Sequence, residues 1–351
     1  MALDTTDKLF QFVLYSVTAV IAVYVLVVGK AILLPLVISI VIAYLIIALG
    51  ETFNELPVIG KRIPKWFAFS LALLSVAAAM IFLLNLIIDN VEQVVAKTPE
   101  YEASLSSLIE RVAGILGLQS IPTFAQLIER VDVAAMARLT LDPLRTVTGN
   151  VFLIVFYVSF LLLERATIRQ KMSALFSDEK SVQNFEKTVT EIEHKIRKYV
   201  GIKIFVSLLT AGFSYIVMAA LGIDFAAFWA VLIFLMNFIP YVGSIIAVAF
   251  PVILTLLQFS SFEIFLLALA LLVGVQVLVA NVVEPRIMGE SLNLSPLMIL
   301  LALAAWGSIW GIVGMIICIP MMVIAMIVFA QFPNTKGIAI IMSQTGEIET
   351  I

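Results

Sequence analysis

Residues 237–251 read NFIPYVGSIIAVAFP and residues 281–296 read NVVEPRIMGESLNLSP, and both stretches lie inside long apolar runs. Proline removes a backbone donor and glycine permits turns that other residues resist, so each stretch should bend or break a helix. What satisfies the broken backbone depends on the surrounding solvent. Of 351 residues, 62% are hydrophobic and only 13% charged, with a mean hydropathy of +1.14, where a soluble domain is about half apolar and a quarter charged. Runs of about 20 apolar residues are long enough to cross the hydrocarbon core as helices. The chain therefore reads as an all-α, polytopic integral membrane protein.

Working outward, apolar spans are expected at Phe10–Val28 and Ile32–Leu49, separated at Gly29-Lys30, and then at Trp66–Ile88, Val147–Leu163 and about Ile202–Leu221. The first helix carries no small-residue cleavage site and is expected to stay uncleaved. From Phe225 to Phe332 the apolar sequence is interrupted by Pro240, Gly243 and Pro251, by Glu284-Pro285-Arg286, and by Gly311, Gly314 and Pro320. Eight crossings result, with some broken pieces open to a re-entrant reading.

Lysine and arginine set the orientation. Eight of them lie between Arg165 and Lys198, and Lys61, Arg62 and Lys65 follow the second span, so both loops are expected on the cytoplasmic side. The segment Asp89–Thr146 then falls outside, where Leu105, Leu108, Ile109, Val112, Ile115 and Leu116, and later Phe124, Leu127, Ile128 and Val131, recur at amphipathic spacing. A similar stripe in Phe185, Val189, Ile192, Ile196 and Tyr199 predicts an amphipathic helix feeding into the fifth span, with Glu191 and Lys195 paired four residues apart. The organisation expected is 1–88 for three N-terminal helices, 89–146 for exterior helices, 147–163 for a fourth span, 164–200 for the basic cytoplasmic helix, 201–332 for a broken-helix transport core and 333–351 for a tail.

Several function classes lose support. A net charge of −3 offers no basic surface for nucleic acid. The single Cys318 and single His194 leave no disulfide pair, metal cluster or histidine-based catalytic pair, and no GxxxxGK[ST] stretch is present. Neither a cofactor nor enzymatic activity is expected. Broken apolar helices instead suit a transporter, because freed carbonyls and amides are tolerated at membrane depth only against protein or a water-filled cavity.

The candidate path residues come from the two opening stretches. Asn237, Pro240, Gly243 and Ser244 combine a lost donor, a sharp turn and two hydrogen-bonding side chains; a kinked helix packed through small residues is the competing reading. Gln276, Asn281, Glu284, Arg286 and Gly289 bring polar groups to the second break, where Pro285 should stop the helical ladder. Glu284 and Arg286 lie two apart and need not face each other, so each should find a partner on another segment. At an interface they would anchor a turn; deeper, they would form a gate or hold a coupling cation. Lys203, at the start of the fifth span, is expected to snorkel to the cytoplasmic interface.

PYVG at 240–243 with Pro251, EPRIMG at 284–289 followed by LNLSP, and WGSIWGIVGMIICIP at 306–320 resemble the autoinducer-2 exporter family, as does the order of segments along nearly the whole chain. The resemblance implies a bacterial inner-membrane, multi-pass secondary transporter that exports a small polar solute such as the quorum-sensing signal autoinducer-2. A sodium/proton antiporter is the alternative within the same family, with H⁺ or Na⁺ as coupling ion, and the resemblance also implies assembly as a homo-oligomer, with a pentamer as the expected form, among membrane lipids. A membrane scaffold that holds partners through its exterior helices is the reading outside transport.

Overall fold

The computed structural model describes residues 2–55, 150–165, 167–176, 178–289 and 292–348, with helical positions at 67, 70–78, 81–82, 85–86, 90, 93, 97, 100–101, 103–104 and 107. The expected exterior helices at 105–116 and 124–131 lie almost entirely outside the described residues. Among the described residues the elements are α1 (Ala2–Val28), α2 (Lys30–Glu55), α3 (Val151–Arg165), α4 (Ile168–Leu175), α5 (Glu179–Ala220), α6 (Ala226–Met236), α7 (Val242–Phe259), α8 (Phe262–Leu278), a π-helical turn (Val279–Val283), α9 (Glu284–Met288), α10 (Pro296–Gln331) and α11 (Lys336–Met342). The fold is all-α, and five of its described helices are long and apolar enough to cross a membrane, with shorter apolar helices at Ser16–Val28, Val151–Glu164 and Ala226–Met236.

The axis of the fold is α5, whose 42 residues extend about 63 Å. Asp178 caps its start by accepting bonds from the Ser181 amide at 2.6 Å and hydroxyl at 2.7 Å, and these bonds hold the Asp178 carboxyl below the usual carboxylate range. The amphipathic stripe and the fifth span are one uninterrupted helix. Its buried residues Ile196, Tyr199, Val200, Lys203, Val206, Ser207, Thr210, Ala211, Ser214 and Met218 recur at three and four, so a single buried face runs from Ile196 to Met218.

Two helical hairpins pack on α5 from opposite ends. In the first, α6 and α7 begin and end together, since Gln258 accepts from the Asp224 amide at 2.8 Å and donates to the Gly222 carbonyl at 2.7 Å. Lys97 and Tyr101 also bind Asp224, at 2.6 and 2.9 Å. With 11 residues, α6 is about 16 Å long and too short to cross a bilayer core of about 30 Å. The pair is a helical hairpin with its tip at residues 237–241. Gly243 is what lets the tip close: a Cβ there would sit 1.8 Å from the Met236 carbonyl oxygen.

The second hairpin lies within α10, where Gly311 adopts φ 65° and ψ −145°. A straight helix would put residues eight apart about 12 Å from each other, yet a Cβ on Gly314 would lie 2.0 Å from the Trp306 carbonyl oxygen. The chain therefore doubles back at Gly311, and both arms return to the lysine- and arginine-rich end of α5. There Asn293 and the end of α10 line one cavity of about 670 Å³ with Glu191, His194 and Lys198. The tip is tied elsewhere, by Trp310 Nε1 donating to the Leu26 carbonyl of α1 at 3.0 Å.

Some expected breaks are absent. Pro251 and Pro320 sit inside α7 and α10 without ending them. Pro285 does not stop the ladder either; Glu284 N–H reaches back five residues to the Val279 carbonyl, so the helix widens into the π turn and resumes as α9. Residues following Phe332 form α11 and a strap against the loop after α9. Asn293 Oδ1 accepts from the Gln344 and Thr345 amides, each at 3.2 Å, and Asn293 Nδ2 donates to the Glu347 carbonyl at 2.7 Å. A short antiparallel bridge joins Leu294 to Ser343.

Candidate transport site

The tip of the first hairpin meets α5 and α8. Pro240 fixes one end of the turn, and Tyr241 takes a positive φ of 58°, rare for a side chain of its size. This geometry carries Asn237 inward to 6% exposure, where its Nδ2 donates to Ser207 Oγ at 3.0 Å. Gln276 Nε2 donates to Asn237 Oδ1 at 3.4 Å. The three side chains come from three elements and form one uncharged hydrogen-bonding group. It is incomplete: among the described residues Gln276 Oε1 is buried with no hydrogen-bond partner. A buried acceptor left without a donor costs about 1–3 kcal/mol, which a bound hydroxyl would recover.

One turn back along α5, Lys203 Nζ lies 2.7 Å from Glu284 Oε1, with the side chains 8% and 19% exposed. The expectation that Glu284 finds its partner on another segment holds. That Lys203 snorkels to the interface does not: in the structure it points along the buried face of α5 and is itself the partner. Coulomb attraction in a low-dielectric setting offsets the desolvation of both charges only when they stay together. Tyr199, four residues before Lys203 on the same face, is buried at 3% exposure, and no described residue bonds its hydroxyl.

The remaining candidates lie outside this cluster. Asn281 and Arg286 are exposed. Gly289 ends α9 with φ 54°, its amide donating to the Pro285 carbonyl at 2.9 Å. Ser244 donates to the Tyr241 carbonyl at 3.0 Å and so supports the turn itself. Ser207 escaped the sequence reading and Lys203 was assigned to the interface, although a signal for both exists. Continuing the stripe from Ile196 and Tyr199 at steps of three and four leads through Lys203, Ser207, Thr210 and Ser214, a polar line on the face that the preceding turns bury.

The sequence profile described as AI-2E family transporter matches residues 14–334. A putative transport protein of Haemophilus influenzae is 30% identical over 296 residues, covering 82% of this chain and 84% of that protein. The AI-2 transport protein TqsA of Escherichia coli is 30% identical over 291 residues, covering 82% and 83%. A putative transport protein of Borreliella burgdorferi is 35% identical over 205 residues, or 58% of this chain and 56% of that one. Helices fit for a membrane, a polar cluster at the tip of a helical hairpin and a match over nearly the full length agree: this chain is a multi-pass membrane protein that belongs to the AI-2E transporter family.

Proposed function

We propose that this protein exports a small, neutral, polar solute of the autoinducer-2 type across the bacterial inner membrane, with the Ser207–Asn237–Gln276 group as its binding site. The observation that carries this reading is the buried, donorless Gln276 Oε1 within an uncharged hydrogen-bonding cluster. Such a group suits a hydroxyl-rich ligand better than an ion, since polar atoms placed in an apolar site fix orientation and selectivity. The relative named as an AI-2 transport protein supports the choice of solute. The lysine- and arginine-rich end of α5 faces the cytoplasm on this reading, and several copies assemble side by side.

The test is uptake of labelled autoinducer-2 by proteoliposomes. Gln276→Leu, which keeps the bulk and removes the amide, should lower flux at least about tenfold, corresponding to the loss of one or two hydrogen bonds. Flux equal to wild type would sink the reading. A second reading, exchange of sodium for protons, is favoured by the buried Lys203–Glu284 pair. Under that reading Glu284→Gln abolishes cation flux, whereas the neutral-solute site keeps transporting the signal.

A further inference from the structure

Two observations on the buried face of α5 belong together. Lys203 is held against Glu284 at 2.7 Å, and the hydroxyl of Tyr199, one turn before it, is buried without a partner among the described residues. Buried hydroxyls are nearly always bonded, so an unsatisfied one calls for an explanation. Side chains on a helix lean toward its N-terminus, and the long stem of Lys203 therefore reaches over Tyr199. The ammonium is held at Glu284, and the Tyr199 hydroxyl is a second acceptor one turn away on the same buried face.

Glu284 also has a neighbour suited to a metal cation. Pro285 has no N–H to donate, so the turn leading into Glu284 is one backbone donor short. Carbonyl and carboxylate oxygens are the ligands that broken membrane helices offer to sodium. Resting on the cation reading of this site given above, we propose that Lys203 is a tethered cation which competes with free sodium for Glu284 and moves to the Tyr199 hydroxyl when sodium binds. The exchange keeps one positive charge at the carboxylate throughout, and Glu284 is never buried bare. The other ionisable groups nearby are Cys318 on α10, which faces Tyr199, and the exposed Arg286 on α9 itself.

The experiment is thermal unfolding of the purified protein in nanodiscs across a sodium chloride series, with choline chloride holding ionic strength constant. Removing the competitor in Lys203→Gln should lower the half-saturating sodium concentration about tenfold or more, equivalent to about 1.4 kcal/mol of competition. Lys203→Arg, whose fork grips the carboxylate in two places, should raise it above wild type. Tyr199→Phe should raise it as well, by removing the second resting place, and Glu284→Gln should abolish the response. Equal sodium responses in wild type and all Lys203 variants would overturn the proposal. So would a Lys203→Gln protein stabilised by acid and not by sodium, because the pair would then be structural only. If Lys203→Gln does not fold, the Lys203→Arg and Tyr199→Phe series decides by the same ordering. Sodium binding is read here without flux, so the result stands apart from whether signal or cation is transported.

Discussion

The two hairpins are built on the same device and put to different use. Each turns where a glycine lets a helix pass within van der Waals reach of a carbonyl seven or eight residues earlier, Gly243 against Met236 and Gly314 against Trp306. The tip of α6–α7 ends in Asn237, bonded to Ser207 and Gln276. The tip within α10 ends in Trp306 and Trp310, whose rings are tilted by 47° with centres 5.0 Å apart, and Trp310 is fastened to α1. Backbone closure is therefore independent of what the tip carries. One tip carries a polar hydrogen-bonding group, and the other a tryptophan bonded to α1.

The largest effect should come from the charges beside the polar tip. Lys203→Met leaves Glu284 buried without its cation and should cost about 3–5 kcal/mol in thermal unfolding. Adding Glu284→Gln should recover a large part, and a double mutant no more stable than the single one would show that the pair contributes nothing. Closure comes next. Gly243→Ala and Gly314→Ala each force a Cβ into backbone, and each should cost about 3 kcal/mol or more, seen as loss of folded protein by fluorescence-detected size exclusion. If only one hairpin suffers, the shared device is not shared.

At the anchor the effect is smaller. Trp310→Phe keeps an aromatic ring but loses part of the buried indole and its bond to Leu26, the bond alone being worth about 0.5–1.5 kcal/mol, and should leave solute flux per folded molecule unchanged. A flux defect would move function onto the second hairpin. The smallest effect lies far from both tips, at the cap of α5. Because the native fold lowers the Asp178 carboxyl pKa, its contribution is present above the unfolded value and is lost as the pH falls through the lowered one, below about 4. Hydrogen exchange over 179–182 should quicken there, and Asp178→Ala should remove that pH dependence.

Much of this was legible in the sequence because membrane helices announce themselves by length and apolarity. The tip at Pro240–Gly243 was legible too, since proline and glycine coincide with a polar residue. Pro251 and Pro320 carry the same letter without the same outcome: each is buried inside a continuous helix, and a single lost donor did not break the ladder around it. Nor could spacing tell that Gly311 rather than Gly314 takes the positive φ, because both fit a bend and only the close approach of the two arms separates them. Lys203 was misplaced for a different reason. A lysine at the start of a span usually faces water, and its partner Glu284 lies 81 residues away in sequence. Only continuing the buried face of α5 past Tyr199 points to it, which treats the helix outside the membrane and the span within it as one object.

The strap across Asn293 has a consequence for the order of manufacture. Synthesis runs from the N-terminus, and residues 343–347 leave the ribosome about 50 positions after the loop they bind. At about 5–20 residues per second, that loop waits several seconds with Asn293 and the bridge position Leu294 unclaimed, while the hairpin of α10 inserts between the two events. The cavity bounded by His194 and Thr345 is thus the last part of the described chain to acquire its walls.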